Sequence, residues 1–329
     1  LRPPGFWQHD GSRLAPALLA PFAALTAAAT ARRVARPGWR APVPVLCCGN
    51  VTVGGSGKTT LALDLLRRLA ARGAAPHALL RGYGGTARGP RAVRPRDDVG
   101  EVGDEALLLA AVAPTWIGAD RAEAARAAVG AGAGVLVMDD GLQNPTLRKD
   151  ASLLVIDGGF GFGNGRVLPA GPLRESVAAG AARCRAAVLI GPDETAVAAA
   201  LPPGLPVLRA QLEPGTATLS LRGRRVLGFA GIGRPAKFFA TLREAGAEVA
   251  DAVAFPDHHR FTPGELAGLM ARAERLGAVP VTTAKDAVRL PDTLRGAVAV
   301  ADVMLAWAEP AAIEALLDSV LNRSSYCPP

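Results

Sequence analysis

Residues 49–60 read Gly49-Asn50-Val51-Thr52-Val53-Gly54-Gly55-Ser56-Gly57-Lys58-Thr59-Thr60, directly after the apolar run Val43–Cys48. The run predicts a buried strand, the glycines a tight turn, and Thr59–Ala71 a helix. Strand, glycine-rich turn and helix in that order form a phosphate-binding P-loop. Glycines let backbone N–H groups close around phosphate oxygens. Lys58 reaches the β- and γ-phosphates, and the Thr59 hydroxyl ligates Mg²⁺. The helix adds its positive N-terminus to the same anion. The expected nucleotide-binding residues are therefore Thr52, Val53, Gly54, Gly55, Ser56, Gly57, Lys58, Thr59 and Thr60. The motif's usual first glycine is replaced by Thr52, with Gly49 three residues earlier.

A second acid-bearing strand fits the same site. Gly134–Met138 is continuously apolar and ends in Asp139-Asp140. Downstream of a P-loop this is the Walker B pattern, which supplies a magnesium contact, so Thr59, Asp139 and Asp140 are the expected metal residues. Further strands are read at Pro76–Leu80, Ser152–Ile156 and Ala186–Ile190, alternating with helical stretches, which predicts an α/β fold. The strand Pro76–Leu80 ends in Arg81-Gly82-Tyr83-Gly84-Gly85, a loop at the carboxyl edge of a sheet, where open α/β folds bind ligands. Residues 86–99 carry Arg88, Arg91, Arg94 and Arg96 and read as an exposed basic loop. Asp104 and Glu105 open the next helix, either as dipole-favoured acids or as functional ones.

The pattern changes near residue 207. Val207–Leu212 and Thr216–Leu221 alternate like strands, and a second α/β unit follows with strands at Val226–Ala230 and Val279–Thr283. Two adjacent histidines stand in Phe255-Pro256-Asp257-His258-His259-Arg260-Phe261-Thr262. Neighbours in extended chain point apart, so one histidine working with a carboxylate from elsewhere is more plausible than a joint metal site. Thr262 and Glu265 form a capping box for the helix after them.

Half of the 329 residues are hydrophobic, as in a globular protein, and the formal net charge is +8. Arginine carries most of that charge. Lysine occurs only at 58, 149, 237 and 285, which singles out Lys285. The excess suits nucleic acid, an acidic membrane surface or an anionic substrate; a GC-rich genome would also raise it. The cysteines, 47, 48, 184 and 327, lack metal or disulfide spacing, and Cys47-Cys48 read as buried small hydrophobes in a reducing compartment. Leu14–Ala31 carries no charge, and Arg32, Arg33, Arg36 and Arg40 follow it. Leu14, Leu18, Phe22 and Leu25 share one helical face. The favoured reading is a helix in the membrane interface with arginines on anionic head groups. A signal peptide, a single span and a helix packed on the protein's own core compete with it.

Eight stretches, in this order, resemble the tetraacyldisaccharide 4′-kinase family of lipid A biosynthesis: GNVTVGGSGKTT (49–60), LLRGYGG (79–85), VGDEA (102–106), MDDGLQN (138–144), LPAGPLRE (168–175), FAGIG (229–233), FPDHHRFT (255–262) and TTAKDAVRL (282–290). They span most of the chain, and several are peculiar to that family. The resemblance implies ATP and Mg²⁺, and transfer of the γ-phosphoryl group to the 4′-hydroxyl of an anionic lipid disaccharide 1-phosphate. It implies a P-loop NTPase-like α/β/α sandwich with a second, smaller α/β/α domain and a two-stranded β linker. The divisions are then 1–40 (N-terminal membrane-associating helix), 41–206 (P-loop kinase domain), 207–225 (linker) and 226–329 (second domain). It also implies a place on the cytoplasmic face of the bacterial inner membrane, with no nucleic acid and no obligate protein partner. The family points to Asp104 as the base and to a histidine of the His258-His259 pair tuning it, with Lys58 on the phosphates. Arg81, Glu105, Arg121, Gln143 and Glu175 are further substrate or phosphate candidates. Two positions depart from the family: Asn144 stands where His is common, and Thr60 where Pro is common.

Other P-loop classes fit less well. Guanine-specific switches use N-K-x-D, whereas Lys285 and Asp286 are adjacent. No LSGGQ-like transporter signature occurs, and aromatic residues are too sparse for a single-strand nucleic-acid platform.

Overall fold

Strand β1 (Val45–Gly49) is fully buried and lies inside a nine-stranded sheet. The computed structural model describes residues 4–8, 11 and 14–322. The other strands are β2 (Pro76–Leu80), β3 (Arg91–Val93), β4 (Thr115–Ile117), β5 (Val135–Asp139), β6 (Ala151–Asp157), β7 (Ala186–Ile190), β8 (Val207–Pro214), β9 (Arg225–Ala230), β10 (Glu248–Ala254), β11 (Val279–Thr283), β12 (Ala299–Ala301) and β13 (Val303–Trp307). The large sheet runs β13-β8-β7-β6-β1-β5-β2-β4-β3 and is parallel except for its two outermost pairs. The fold is thus the expected P-loop α/β/α sandwich.

Both faces of this sheet are covered, so its central strands are apolar at every position rather than alternating. In β1, Leu46 and Cys48 join one core cluster, with Leu61, Leu65 and Leu69 of the helix Lys58–Ala71. Val45 and Cys47 join the opposite one, with Ala124, Ala125 and Ala128 of the helix Arg121–Gly130. Period-2 side-chain alternation thus feeds two cores from one strand. Both cysteines are buried as expected, and Cys327 lies outside the described residues.

A second, four-stranded parallel sheet runs β10-β9-β11-β12. Its core is built by Phe229, Phe239, Leu242, Leu266 and Leu269. The chain between the sheets departs from expectation. Val207–Pro214 is a strand, but Thr216–Leu219 is a helical turn, because Asp302 binds the Thr218 amide and hydroxyl and holds that segment closed. The partner of β8 is β13, antiparallel, from nearly a hundred residues later. The helix Pro310–Leu321 then packs Ile313 and Leu317 into the first core, and Arg68 and Arg72 pair with Glu314. The end of the described chain therefore belongs to the large sheet, not to the second unit. Pairing between strands so far apart has no local sequence signature.

Residues 86–99 are also more ordered than a loop. β3 pairs antiparallel with β4, and Arg91 is bound by Asp97 and Glu101. At the N-terminus, Leu14–Val34 is one helix in which only Pro16, Ala23 and Thr30 are buried. Leu14, Leu18, Phe22 and Leu25 are 59–79 % exposed, so its apolar face is turned outward and not into the protein's own core.

Candidate active site

Parallel pairing places the ends of β1 and β5 side by side, with Cys48 opposite Asp139. The glycine turn and the acidic pair thus emerge at the same carboxyl edge, and Thr59 donates its hydroxyl proton to Asp139 Oδ2 at 2.9 Å. Gly57 makes the turn possible. It is left-handed (φ 87°), and a side chain there would press on Ile190. Buried Asn50 pins the loop from within, donating to Thr52 Oγ1 at 3.1 Å and Ser56 Oγ at 3.0 Å. Thr52, where the motif usually has glycine, is thereby a structural member of the loop. Side chains added at Gly54 and Gly55 would meet nothing within 4 Å, so the mouth of the loop is open.

Lys58 Nζ lies 3.8 Å from Asp140 Oδ1. Asp140 is held bidentate by Arg174, at 2.8 and 3.1 Å, and sits in the left-handed region at φ 52°, an uncommon place for a non-glycine residue. Burial raises the Asp140 carboxyl, but Lys58 and Arg174 outweigh it and hold it below the usual range. Asp139 behaves oppositely. Burial, then the Glu105 carboxylate, push it up to about 7 against the pull of Lys58 and Thr59. Its Oδ1 is buried without a hydrogen-bond partner among the described residues. A buried, unpartnered carboxylate oxygen beside a P-loop threonine is the donor chemistry that a hard divalent cation requires. Thr59, Asp139 and Asp140 therefore fit Mg²⁺.

The second cluster joins the two sheets. Gly103 (φ 87°) turns the chain so that Asp104 opens the helix Asp104–Ala110; a Cβ there would lie 2.4 Å from the Tyr83 carbonyl. Asp104 is only 4 % exposed. His258 Nδ1 lies 2.9 Å from its Oδ2, and Lys285 Nζ 3.9 Å away. Arg289 also binds that oxygen. Burial alone would raise the Asp104 carboxyl; His258, Lys285 and Arg289 together hold it well below the usual carboxylate range. Lys285 Nζ is 3.3 Å from His258 Nε2, so the ammonium donates to Nε2 and the imidazole donates from Nδ1 to Asp104. His258 itself is left-handed (φ 58°), which turns its ring away from that of its neighbour.

His259 is elsewhere. It bonds Glu265 at 3.0 Å and stacks on Phe255 at 4.8 Å, inside the capping box of the helix Pro263–Arg275. Glu105 lies 4.0 Å from Lys285, within the cleft. Arg121 is buried, and burial pulls it down to about 10 while Asp140 pulls it upward; its Nε has no partner among the described residues. Arg81 is exposed nearby, close enough for the two cations to oppose each other's charge. Gln143 and Glu175 face inward instead. Gln143 donates to the Asn50 carbonyl and to Glu175 at 2.8 Å each, and Glu175 pairs with Arg183 at 2.6 Å. They brace the P-loop from behind. Asn144 accepts from Thr146 and shapes the loop beside Arg121.

Sequence reasoning passed over Asn50, Arg174, Arg234 and Arg289. Arg234, from the second unit, pairs with Asp157 and reaches the Gly55 carbonyl at 3.4 Å. Asn50, Arg174 and Arg289 lie in the quoted stretches 49–60, 168–175 and 282–290, which is an available signal; Arg234, in an arginine-rich chain, has none.

Residues 15–322 match the model of a family described as tetraacyldisaccharide-1-P 4′-kinase. The chain is 60 % identical to the tetraacyldisaccharide 4′-kinase of Gluconacetobacter diazotrophicus over 323 residues, 98 % of this chain and 99 % of that one. It is 54 % identical to the protein of the same name from Rhodospirillum centenum, covering 98 % and 97 %. Among solved structures it resembles LpxK from Aquifex aeolicus, crystallised in complex with ATP, with a TM-score of 0.74 at 25 % identity, covering 93 % of this chain and 99 % of that one.

Proposed function

This chain belongs to the tetraacyldisaccharide 4′-kinase family, so it is an ATP-dependent lipid kinase of lipid A biosynthesis that phosphorylates the disaccharide 4′-hydroxyl, and we propose how its residues divide that work. Phosphoryl transfer needs positioning and charge stabilisation more than covalent chemistry. Lys58 and the amides of residues 52–59 hold the β- and γ-phosphates, with Arg121 and Arg81 nearby as further cations. Thr59, Asp139 and Asp140 hold Mg²⁺, which neutralises charge on the phosphates when bound.

Asp104 accepts the proton of the 4′-hydroxyl. The hydroxyl oxygen bonds to the γ-phosphorus, the bond from that phosphorus to the bridging oxygen breaks, and ADP leaves. A loose transition state asks for little basicity. It does need an ionised acceptor held at the hydroxyl, which suits a buried carboxylate surrounded by cations. The single observation that carries this reading is Asp104, on the P-loop unit, gripped by His258 of the second unit at 2.9 Å. The cleft between residues 41–206 and the unit around 225–302 is then the reaction chamber, and nucleotide binding closes it.

The test is ATP-dependent phosphorylation of tetraacyldisaccharide 1-phosphate in detergent micelles. Phosphate appearing at the 4′-position is the expected result. ATP hydrolysis without transfer would sink the assignment of Asp104 and His258 to the acceptor.

The helix Leu14–Val34 anchors the enzyme at the cytoplasmic face of the inner membrane. Its outward Leu14, Leu18, Phe22 and Leu25, with basic Arg32 and Arg33 in its last turn, support this. Replacing those four apolar residues by serine should abolish co-sedimentation with vesicles containing phosphatidylglycerol. Retention of the quadruple variant on vesicles would refute the anchor.

A further inference from the structure

Arg289 lies in the cleft with its side chain only 3 % exposed. It follows the short helix Ala284–Ala287 at the end of β11, in the second unit. Its guanidinium bridges three acceptors. Nη2 binds the Asp104 carboxylate, and Nη1 donates to Asp286 Oδ1 at 2.9 Å and to the Gly231 carbonyl at 3.1 Å. Asp286 is fully buried and is fixed in turn by the Gly231 amide at 3.1 Å and the Thr283 hydroxyl at 2.7 Å. The arginine therefore hangs from a rigid frame of the four-stranded sheet and reaches across to a carboxylate of the nine-stranded one.

We propose that Arg289 is a positioning residue for phosphoryl transfer: anchored on Asp286 and Gly231, it holds Asp104 ionised and aimed, and it makes that carboxylate competent only when the second unit is docked. This rests on the reading of Asp104 as the proton acceptor. His258 and Arg289 both occupy Oδ2, while the other oxygen, Oδ1, is bonded to the Glu105 amide at 2.9 Å. Oδ1 is the oxygen left with a lone pair for the substrate hydroxyl. A planar guanidinium meets three acceptors at fixed angles, which an ammonium on a flexible stem does not. The groups facing Asp104 are Glu105 on its own helix, His258 from the loop before Thr262, and Lys285 and Arg289 from the turn after β11, with Asp286 behind Arg289. Without Arg289, burial of Asp104 is opposed by His258 and Lys285 alone, so its protonation moves to higher pH.

The experiment compares the wild type, Arg289→Ala, Arg289→Lys, Asp104→Asn and the double variant D104N/R289A in the micelle assay between pH 5 and 9. Truncating one member of a buried hydrogen-bonded charge pair should lower kcat by about 10²-fold in Arg289→Ala. KM for ATP should stay near the wild-type value, and the acid limb of the kcat profile should move upward. Added guanidinium ion should restore part of the activity of Arg289→Ala. Arg289→Lys should keep the limb near its wild-type position but turn over more slowly. In the Asp104→Asn background, removing Arg289 should cost little more, since the two act as one unit.

A folded Arg289→Ala enzyme with normal ATP binding, an unmoved acid limb and no guanidinium rescue would overturn the proposal. If Arg289→Ala does not fold, Arg289→Lys decides: wild-type kcat there overturns it. An active Asp104→Asn enzyme would instead refute the acceptor reading itself and, with it, the role drawn for Arg289.

Discussion

Asp104→Ala lowers kcat by about 10²- to 10⁴-fold, the range of a lost general base, while ATP affinity stays within about twofold. The separation follows from position. The Asp104 side chain is held by His258, Lys285 and Arg289 of the second unit rather than by any residue of the P-loop. Isothermal titration with ATP beside single-turnover transfer measures both quantities. Equal losses in affinity and turnover would remove Asp104 from the chemistry. The two histidines should separate in the same assays. A hydrogen bond to a charged group is worth about 1.5–3 kcal/mol, so His258→Ala should cost about ten- to a hundred-fold in turnover.

The pH dependence of that variant has a definite sign. In the wild type, Asp104 is held well below the usual carboxylate range, so it stays ionised through the mildly acidic region. Loss of His258 removes a downward influence and leaves burial, the largest upward one. Protonation of Asp104, and with it the acid limb, then moves to higher pH. His259→Ala removes the bond to Glu265, the stack on Phe255 and an edge-on contact with Phe261. It should shift thermal stability while kcat stays within about twofold, as for a change away from the reacting groups.

Lys58→Ala should lower kcat/KM by about 10³-fold or more, because it combines lost phosphate stabilisation in a water-poor site with lost ATP affinity. Lys58 is also the cation that both Asp139 and Asp140 share. Its removal leaves Asp139, already raised by burial, with less opposing charge, so cation binding weakens as well. Transfer kinetics across a magnesium titration test this. The Mg²⁺ requirement should rise in Lys58→Ala, and excess Mg²⁺ should recover only part of the loss. Unchanged ATP affinity with unchanged Mg²⁺ dependence would show that Lys58 is not in the phosphate cradle.

The family and its nucleotide-binding edge are legible in the sequence, because they are encoded locally. A glycine turn between an apolar strand and a helix has few other uses, and Asp139-Asp140 closing an apolar run is equally short-range. Scarcity also carried information: with four lysines in the chain, Lys285 stood out, and it lies 3.3 Å from His258. The interface is where reading failed. Gln143 and Glu175 look like ligand groups in their motifs, yet they brace Asn50 and Arg183 from behind the loop. Arg174 and Arg289 lie in quoted motifs, but the motifs do not say which carboxylate each guanidinium will meet, and Arg234 is one among many arginines with nothing local to distinguish it.

By itself, then, the sequence determined the nucleotide-binding edge, the two-sheet α/β organisation and the outward apolar helix, since each depends on periodicity and spacing within some twenty residues. Tertiary structure alone decided which histidine serves Asp104, because the left-handed backbone at His258 sends two adjacent rings to different partners. It also decided that β13 and the helix Pro310–Leu321 return to the first sheet, and that a buried arginine ties Asp104 to the second. Those are contacts between segments up to 246 residues apart. They are set by which surfaces remain to be covered once the local elements have formed, and no local pattern records that.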